Sequence, residues 1–355
     1  MENTFGKRLA SARKMAGLSL QKLADALENV VTKQSLSKYE QGEMKPDSSL
    51  LVKLSSVLNV SVDYFFAEQT VSLEFTNPDY RKHSSKVSAT EKVAIEEKSK
   101  ILLEKYVEIE QLLNLDDDVQ YFQYEEEILT PEDAEKAAKQ LRDDWNLGYD
   151  PIPDVVAMLE DKGYKVLEIE ATEDFDGLSD EVNGYKVIVL NGSLDIDNKT
   201  RKRFTALHEL AHNSLIIPEH MERRAAEKLC HVFASAVIFP EEMVRKELHR
   251  ERFHFYEREL VFLKERWGIS ISAIFQRAYH LGIISEHVFR KFNIGYKKRG
   301  HHKNEPGDFN SREQPNRFLR LVYFALGKEL ISVNEAAYYS GISLWEFRES
   351  NHQLV

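Results

Sequence analysis

The 355-residue sequence has a single cysteine, Cys230, so it can form neither an intrachain disulfide nor a cysteine-based metal cluster. No apolar run approaches the ~20 residues that a membrane-spanning helix requires. The amino-terminal stretch also lacks the apolar core of a secretory signal. With 42% hydrophobic and 30% charged residues, the composition is that of a soluble globular protein, expected in the cytoplasm and away from membranes. Positive charge is in deficit as well: 48 Lys and Arg against 59 Asp and Glu leave a formal net charge of −11. That balance excludes a nucleic-acid-coating surface over the whole molecule, though not one basic domain. The length exceeds one ordinary core and predicts two or three domains.

What the sequence does contain is His208-Glu209-Leu210-Ala211-His212. Histidines four apart on a helix project from one face, one turn above the other. Their imidazoles can hold one zinc ion, with Glu209 beside them as a general base toward water. Hydrolytic zinc needs a third protein ligand and an open position. Glu227 lies on a second helix expected from about Met221 to Val237, and His231 sits one turn further along the same face. His220, His249, His254 and His280 have no partner at a ligating spacing, so surface or packing roles are expected for them. Cys230 reads as a small core side chain.

Residues 5–66 read as a series of short helices. Phe5, Leu9 and Ala12 share one apolar face, Gly17 ends that helix, and Ser19 caps the next, Leu20 to Leu27. A third helix is expected to begin near Thr32 and stop at Gly42, followed by helices at Ser48–Leu58 and Ser61–Phe66. Two short helices and a turn inside such a bundle suggest a helix-turn-helix. Further on, Thr90 opens a long helix from Glu91 to Leu115, too irregular for a coiled coil. The acidic run Asp116-Asp117-Asp118 reads as solvated surface. Thr130-Pro131-Glu132-Asp133 is a strong helix start, and another helix follows Pro151-Ile152-Pro153. Tyr164–Ile169 and Tyr185–Asn191 read as strands, and Gly177-Leu178-Ser179 as a turn. Helices resume at Pro315–Leu326 and Ser332–Ser340, beyond a basic loop at Lys297–Lys303. The expected fold is multidomain and mainly α with a small β-sheet. Its parts are an all-α helix-turn-helix domain over 1–67, a linker with a long connecting helix over 68–129, an α+β zincin-like domain over 130–290, and a helical carboxyl-terminal region over 291–355.

The amino-terminal stretches Leu20-Gln21-Lys22-Leu23-Ala24, Leu36-Ser37-Lys38-Tyr39-Glu40-Gln41-Gly42, and Pro46 followed by Leu50, Leu54 and Leu58 resemble the Cro/XRE-type helix-turn-helix family. The resemblance implies that the helix beginning near Thr32 enters the major groove of double-stranded DNA. Thr32, Lys33, Gln34, Ser35 and Lys38 would then face bases and phosphates. Lys7, Arg8, Arg13, Lys14, Lys22 and Lys45 add positive charge, while Asp25, Glu28, Glu40 and Glu43 weaken the local field. One such domain binds weakly alone, so paired half-sites and a homodimer are expected. Glu28-Asn29-Val30-Val31-Thr32 makes the turn about two residues longer than the family pattern.

Arg203–His212 together with Glu227–Pro240 is similar to the ImmA/IrrE metallopeptidase family. Gly177-Leu178-Ser179, the strand ending at Asn191, and Trp267–Ala278 add to the likeness. It implies a Zn2+ cofactor held by His208, His212 and Glu227, with Glu209 as the base. His231 would orient a ligand or compete with Glu227 as the third one. Zincin peptidases often hold substrate as an added β-strand, which makes Val187, Val189 and Asn191 the expected substrate strand. Arg277 and Tyr279 would line the cleft, with a structural ion pair an equal alternative for Arg277. The function implied is a DNA-binding regulator with a zinc-dependent endopeptidase that cleaves a helix-turn-helix repressor or antitoxin-like protein. The alternative is a transcriptional regulator or antitoxin whose zinc domain senses or binds a partner without proteolysis.

Overall fold

A computed structural model describes residues 3–67, 73, 75, 87–115, 119–193, 199–249 and 254–351. Asp116-Asp117-Asp118 lies outside the described residues. The amino-terminal helices are α1 (Thr4–Met15), α2 (Leu20–Ala26), α3 (Lys33–Gln41) and α4 (Ser48–Leu58), closed by one 3₁₀ turn at Asp63–Phe65. Side-chain caps set their starts: Ser19, Thr32 and Asp47 accept from the backbone N–H groups of Lys22, Ser35 and Leu50. Leu9, Ala12, Leu23, Leu36, Leu54 and Phe65 form their core. The longer turn before α3 is built on two consecutive left-handed residues, Glu28 and Asn29, at φ 55° and 56°.

Helix α5 (Ala89–Leu112) starts on a Ser88–Glu91 capping box, slightly earlier than the sequence suggested. It packs against three parts of the molecule in turn. Toward the amino terminus it meets α1, where Ser11 hydrogen-bonds Glu97 and Arg8 lies 3.9 Å from Glu104. Further along, Leu103, Tyr106 and Val107 pack on the sheet residues Leu167, Leu178, Val187 and Val189. Its last turns share a core with the carboxyl-terminal helices through Ile109 and Leu113. Several partners on several faces explain why no single heptad stripe is visible in its sequence.

Beyond α6 (Pro131–Asp144) and α7 (Val155–Asp161) comes a three-stranded sheet of β1 (Lys165–Ile169), β2 (Gly177–Val182) and β3 (Tyr185–Asn191). The strand order is β1-β3-β2, with β1 parallel and β2 antiparallel to β3. Two expectations are corrected here. Gly177-Leu178-Ser179 is not a turn but the start of β2. The turn is Asn183-Gly184, both left-handed at φ 51° and 84°, as a tight hairpin requires. In addition, β3 is the central strand, hydrogen-bonded on both sides, so Val187, Val189 and Asn191 have no open edge on which to add a substrate strand. The side chains of Val187 and Val189 are buried under α5.

On the opposite face of the sheet lies α8 (Lys199–Ser214). Its Ala206, Leu207 and Leu210 pack with Val166, Ile188 and Leu190, and α9 (Arg223–Ile238) lies alongside it. Then follow α10 (Glu241–Leu248), α11 (Glu257–Trp267), α12 (Ile271–His280), α13 (Glu286–Lys298), α14 (Arg317–Gly327), α15 (Val333–Ser340) and α16 (Leu344–Ser350). The segment between α13 and α14 returns to α7 and α8. There Glu313 reaches Arg203 of α8 at 3.3 Å, with both side chains fully buried.

Candidate metal centre and nucleic-acid interface

Burial of one face of α8 places the His208-to-His212 segment under α9. The Nε2 atoms of His208 and His212 are 3.1 Å apart. Glu227, on the facing side of α9, brings Oε2 to 3.2 Å from the first and 4.0 Å from the second. A tetrahedral ion with bonds near 2.0–2.2 Å spaces its ligand atoms by about 3.3–3.5 Å, so the three atoms stand at ligating separations. Both carboxylate oxygens of Glu227 are shielded from solvent and make no hydrogen bond. A carboxylate buried in that way is costly unless a cation or donor meets it. Two imidazoles and one such carboxylate therefore fit zinc, with a fourth corner for water or substrate.

Glu209 follows His208 on the same helix and is buried. Its Oε2 accepts a hydrogen bond from Ser179 Oγ of β2 at 3.2 Å. His231 is not among the three converging groups. Its ring lies against that of His208, with centroids 4.8 Å apart, and near Phe204 at 5.6 Å. Cys230 is buried, as expected, yet its Sγ is 3.7 Å from His212 Nδ1, so the thiol also contacts the outer nitrogen of that ring. Neither Ser179 nor Cys230 was singled out for the site from sequence. The Gly-Leu-Ser strand beside the motif was the available signal for Ser179.

Asn191 is tied to the backbone around it. Its carboxamide donates to the carbonyls of Thr172 and Phe175 and accepts from the N–H groups of Ala171 and Ser193. It holds the loop between β1 and β2, which accounts for an Asn at that strand end without any substrate. Arg277 makes a bidentate pair with Glu135 at 2.7 and 3.0 Å, so the ion-pair alternative is the one realised. Burial, followed by the charge of Arg277, lowers the pKa of His280. A cavity of about 560 Å³ adjoins the cluster behind His231 and Phe204, with Ala273 and Gln276 of α12 and the segment from His301 to Phe309 as further walls.

On the amino-terminal bundle, Thr32, Lys33, Gln34 and Lys38 are exposed and Ser35 is half-buried. Thr32 is occupied as a cap: its hydroxyl accepts from Ser35 N at 3.1 Å and lies 3.0 Å from Ser35 Oγ. Three cations suggested for phosphate contact have partners within the molecule. Arg13 makes a bidentate pair with Glu40 at 2.6 and 3.0 Å. Arg8 donates to the Ala67 carbonyl, and Lys14 lies 3.8 Å from Glu97. The Arg13 pair also cancels the Glu40 charge beside α3. Lys22, Lys33, Lys38 and Lys45 remain on the exposed surface.

Residues 9–65 match the family profile described as helix-turn-helix, and residues 159–279 match the peptidase profile described as IrrE N-terminal-like domain. Among curated proteins, the SPbeta prophage-derived uncharacterized HTH-type transcriptional regulator YonR of Bacillus subtilis is 45% identical over 60 residues, 17% of this chain and 54% of that protein. The HTH-type transcriptional regulator ImmR of the same organism is 39% identical over 69 residues, 19% of this chain and 53% of that protein. An uncharacterized HTH-type transcriptional regulator of Rhizobium meliloti is 35% identical over 80 residues, 22% of this chain and 56% of that protein. The chain spans about half the length of the curated relatives it matches.

Proposed function

We propose that this chain, which joins a helix-turn-helix domain to an IrrE-like domain, is a DNA-binding transcriptional regulator whose second domain is a zinc endopeptidase. The observation that carries the peptidase reading is the convergence of His208, His212 and Glu227 beside Glu209. Zinc in such a site supplies a Lewis acid and eases deprotonation of water. Glu209 takes one proton from the attacking water as its oxygen bonds to the peptide carbonyl carbon. It then delivers that proton to the amide nitrogen as the C–N bond breaks. His208, His212 and Glu227 would hold the metal, and His231 packs against His208, where it would fix that ring.

The substrate strand is reassigned from β3 to β2, which is an edge of the sheet and carries Ser179 toward Glu209. An extended peptide adding to that edge brings its backbone past the ligand cluster. The substrate class we favour is a helix-turn-helix repressor or antitoxin-like protein, since the chain pairs its peptidase-type domain with a DNA-binding one. On the DNA side, Lys33, Gln34 and Lys38 read the major groove from α3. Thr32 and Ser35 sit at the helix start, and a cytoplasmic homodimer spans two half-sites. The curated relatives are named as transcriptional regulators, which favours as the second reading a regulator whose zinc domain binds a partner without cutting.

Glu209→Gln separates the two readings. On the peptidase reading, the purified full-length variant retains one zinc per chain by elemental analysis and loses cleavage of a degenerate fluorogenic peptide library. Cleavage equal to the wild type would remove Glu209 from its role. No cleavage by the zinc-loaded wild type would favour the binding-only reading.

A further inference from the structure

Strand β2 lies close against α8, and its sequence shows why. Alternation turns Gly177 and Ser179 toward α8 and Leu178 and Val182 toward α5. At Gly177 a Cβ would stand 3.0 Å from Thr205 Cγ2, 3.3 Å from Glu209 Cγ and 2.9 Å from the Val189 carbonyl oxygen. The absent side chain lets the strand backbone approach the helix beside the stem of Glu209. Two residues on, the short side chain of Ser179 spans the remaining gap, its Oγ 3.2 Å from Glu209 Oε2. Both residues are 2% exposed, so bulk water does not compete for this bond.

We propose that Ser179 is a positioning residue: its hydroxyl donates to one oxygen of Glu209 and holds the carboxylate in the orientation needed beside the ligand cluster. This rests on the reading of Glu209 as the base. A glutamate has three side-chain torsions, and α8 fixes only its Cα. A neutral donor to one oxygen restricts the carboxylate plane and leaves it a proton acceptor. Serine suits the position because its hydroxyl neither competes for a metal with the imidazoles nor adds bulk next to Gly177. The same strand would carry the substrate edge, so base orientation and substrate placement share one rigid element.

The test compares the zinc-loaded full-length wild type with Ser179→Ala and Ser179→Cys. Alanine is smaller than serine and should fold. Zinc stoichiometry should be unchanged in both variants. With the degenerate fluorogenic peptide library, Ser179→Ala should lower kcat about tenfold, as expected for one lost orienting hydrogen bond, with KM within about twofold. Ser179→Cys, a weak donor, should fall between the two. Unchanged kcat in Ser179→Ala would overturn the proposal, and so would lost zinc, which would make Ser179 a prop for the ligands. Crystal structures provide a readout independent of cleavage. The Glu209 carboxylate should hold one orientation in the wild type and turn or split in Ser179→Ala. An identical carboxylate in both overturns the positioning role. A wild type that cleaves nothing overturns the peptidase reading, while the carboxylate comparison still decides Ser179.

Discussion

At the scale of single residues, local periodicity exposed half of the candidate metal centre and three-dimensional packing supplied the other half. His208 and His212 needed only the helical repeat to be placed together. Glu227 and His231 share one face of α9, so spacing alone ranks them equally. The facing of α8 and α9 separates them, since Glu227 Oε2 comes within 3.2 Å of His208 Nε2 while His231 packs ring against ring. We predict that Glu227→Ala will fall well below one zinc per chain after dialysis, whereas His231→Ala will keep its zinc with an affinity reduced about 10- to 100-fold. The reverse pattern would exchange their roles. Cys230 shows why a core assignment can be correct and incomplete: burial was legible from its neighbours, but contact with His212 depends on the rotation of α9 against α8.

At the scale of elements, the helices were readable from caps and periodicity, and the errors fell where pairing partners decide. Ser19, Thr32 and Thr130 cap as their sequences suggest, whereas Ser88 caps the long helix two residues ahead of Thr90, where the sequence places its start. Strand β2 was misread because Gly177 and Ser179 are turn-prone residues in isolation. Here they serve a close contact with α8, while the Asn183-Gly184 pair makes the turn. That packing gives a direct expectation: Gly177→Ala places a methyl 2.9–3.0 Å from Val189 O and Thr205 Cγ2 and should cost about 1–3 kcal/mol. Chemical denaturation will measure it, and an unchanged midpoint would contradict the tight strand–helix contact. On α3 the expectations divide by chemistry. Thr32→Ala removes a helix cap and should cost about 1 kcal/mol in stability. Lys38→Ala should leave stability unchanged, weaken operator binding, and reduce the slope of log affinity against log salt by about one. Titrations at several salt concentrations distinguish the two, and an unchanged slope would take Lys38 off the phosphate backbone.

At the scale of the whole molecule, the regions that composition separates are tied together by buried charge. Lys165 of β1 and Glu110 of α5 approach to 2.7 Å, and Arg317 at the start of α14 hydrogen-bonds the same carboxylate. Next to them, Glu160 of α7 accepts from the backbone N–H groups of Asn316 and Arg317 at 3.0–3.1 Å, closing the amino terminus of α14. None of these partners was visible in the sequence, because they are brought together from three distant stretches of the chain: α5, the consecutive pair α7 and β1, and the start of α14. Burial raises the Glu160 pKa to about 7 against the pull of those N–H groups and of Arg317. The folded state thus binds this proton more tightly than the unfolded chain, where a glutamate titrates at its ordinary value. Stability from the protonated carboxyl is fully present below about pH 4.5 and is lost as pH rises toward 7, by up to about 3 kcal/mol. Glu160→Gln keeps a neutral acceptor in the same place and should flatten the dependence of unfolding free energy on pH between 5 and 7.5. If the variant retains the wild-type slope, the titration belongs to another group, and the α7–α14 junction does not respond to protons through Glu160.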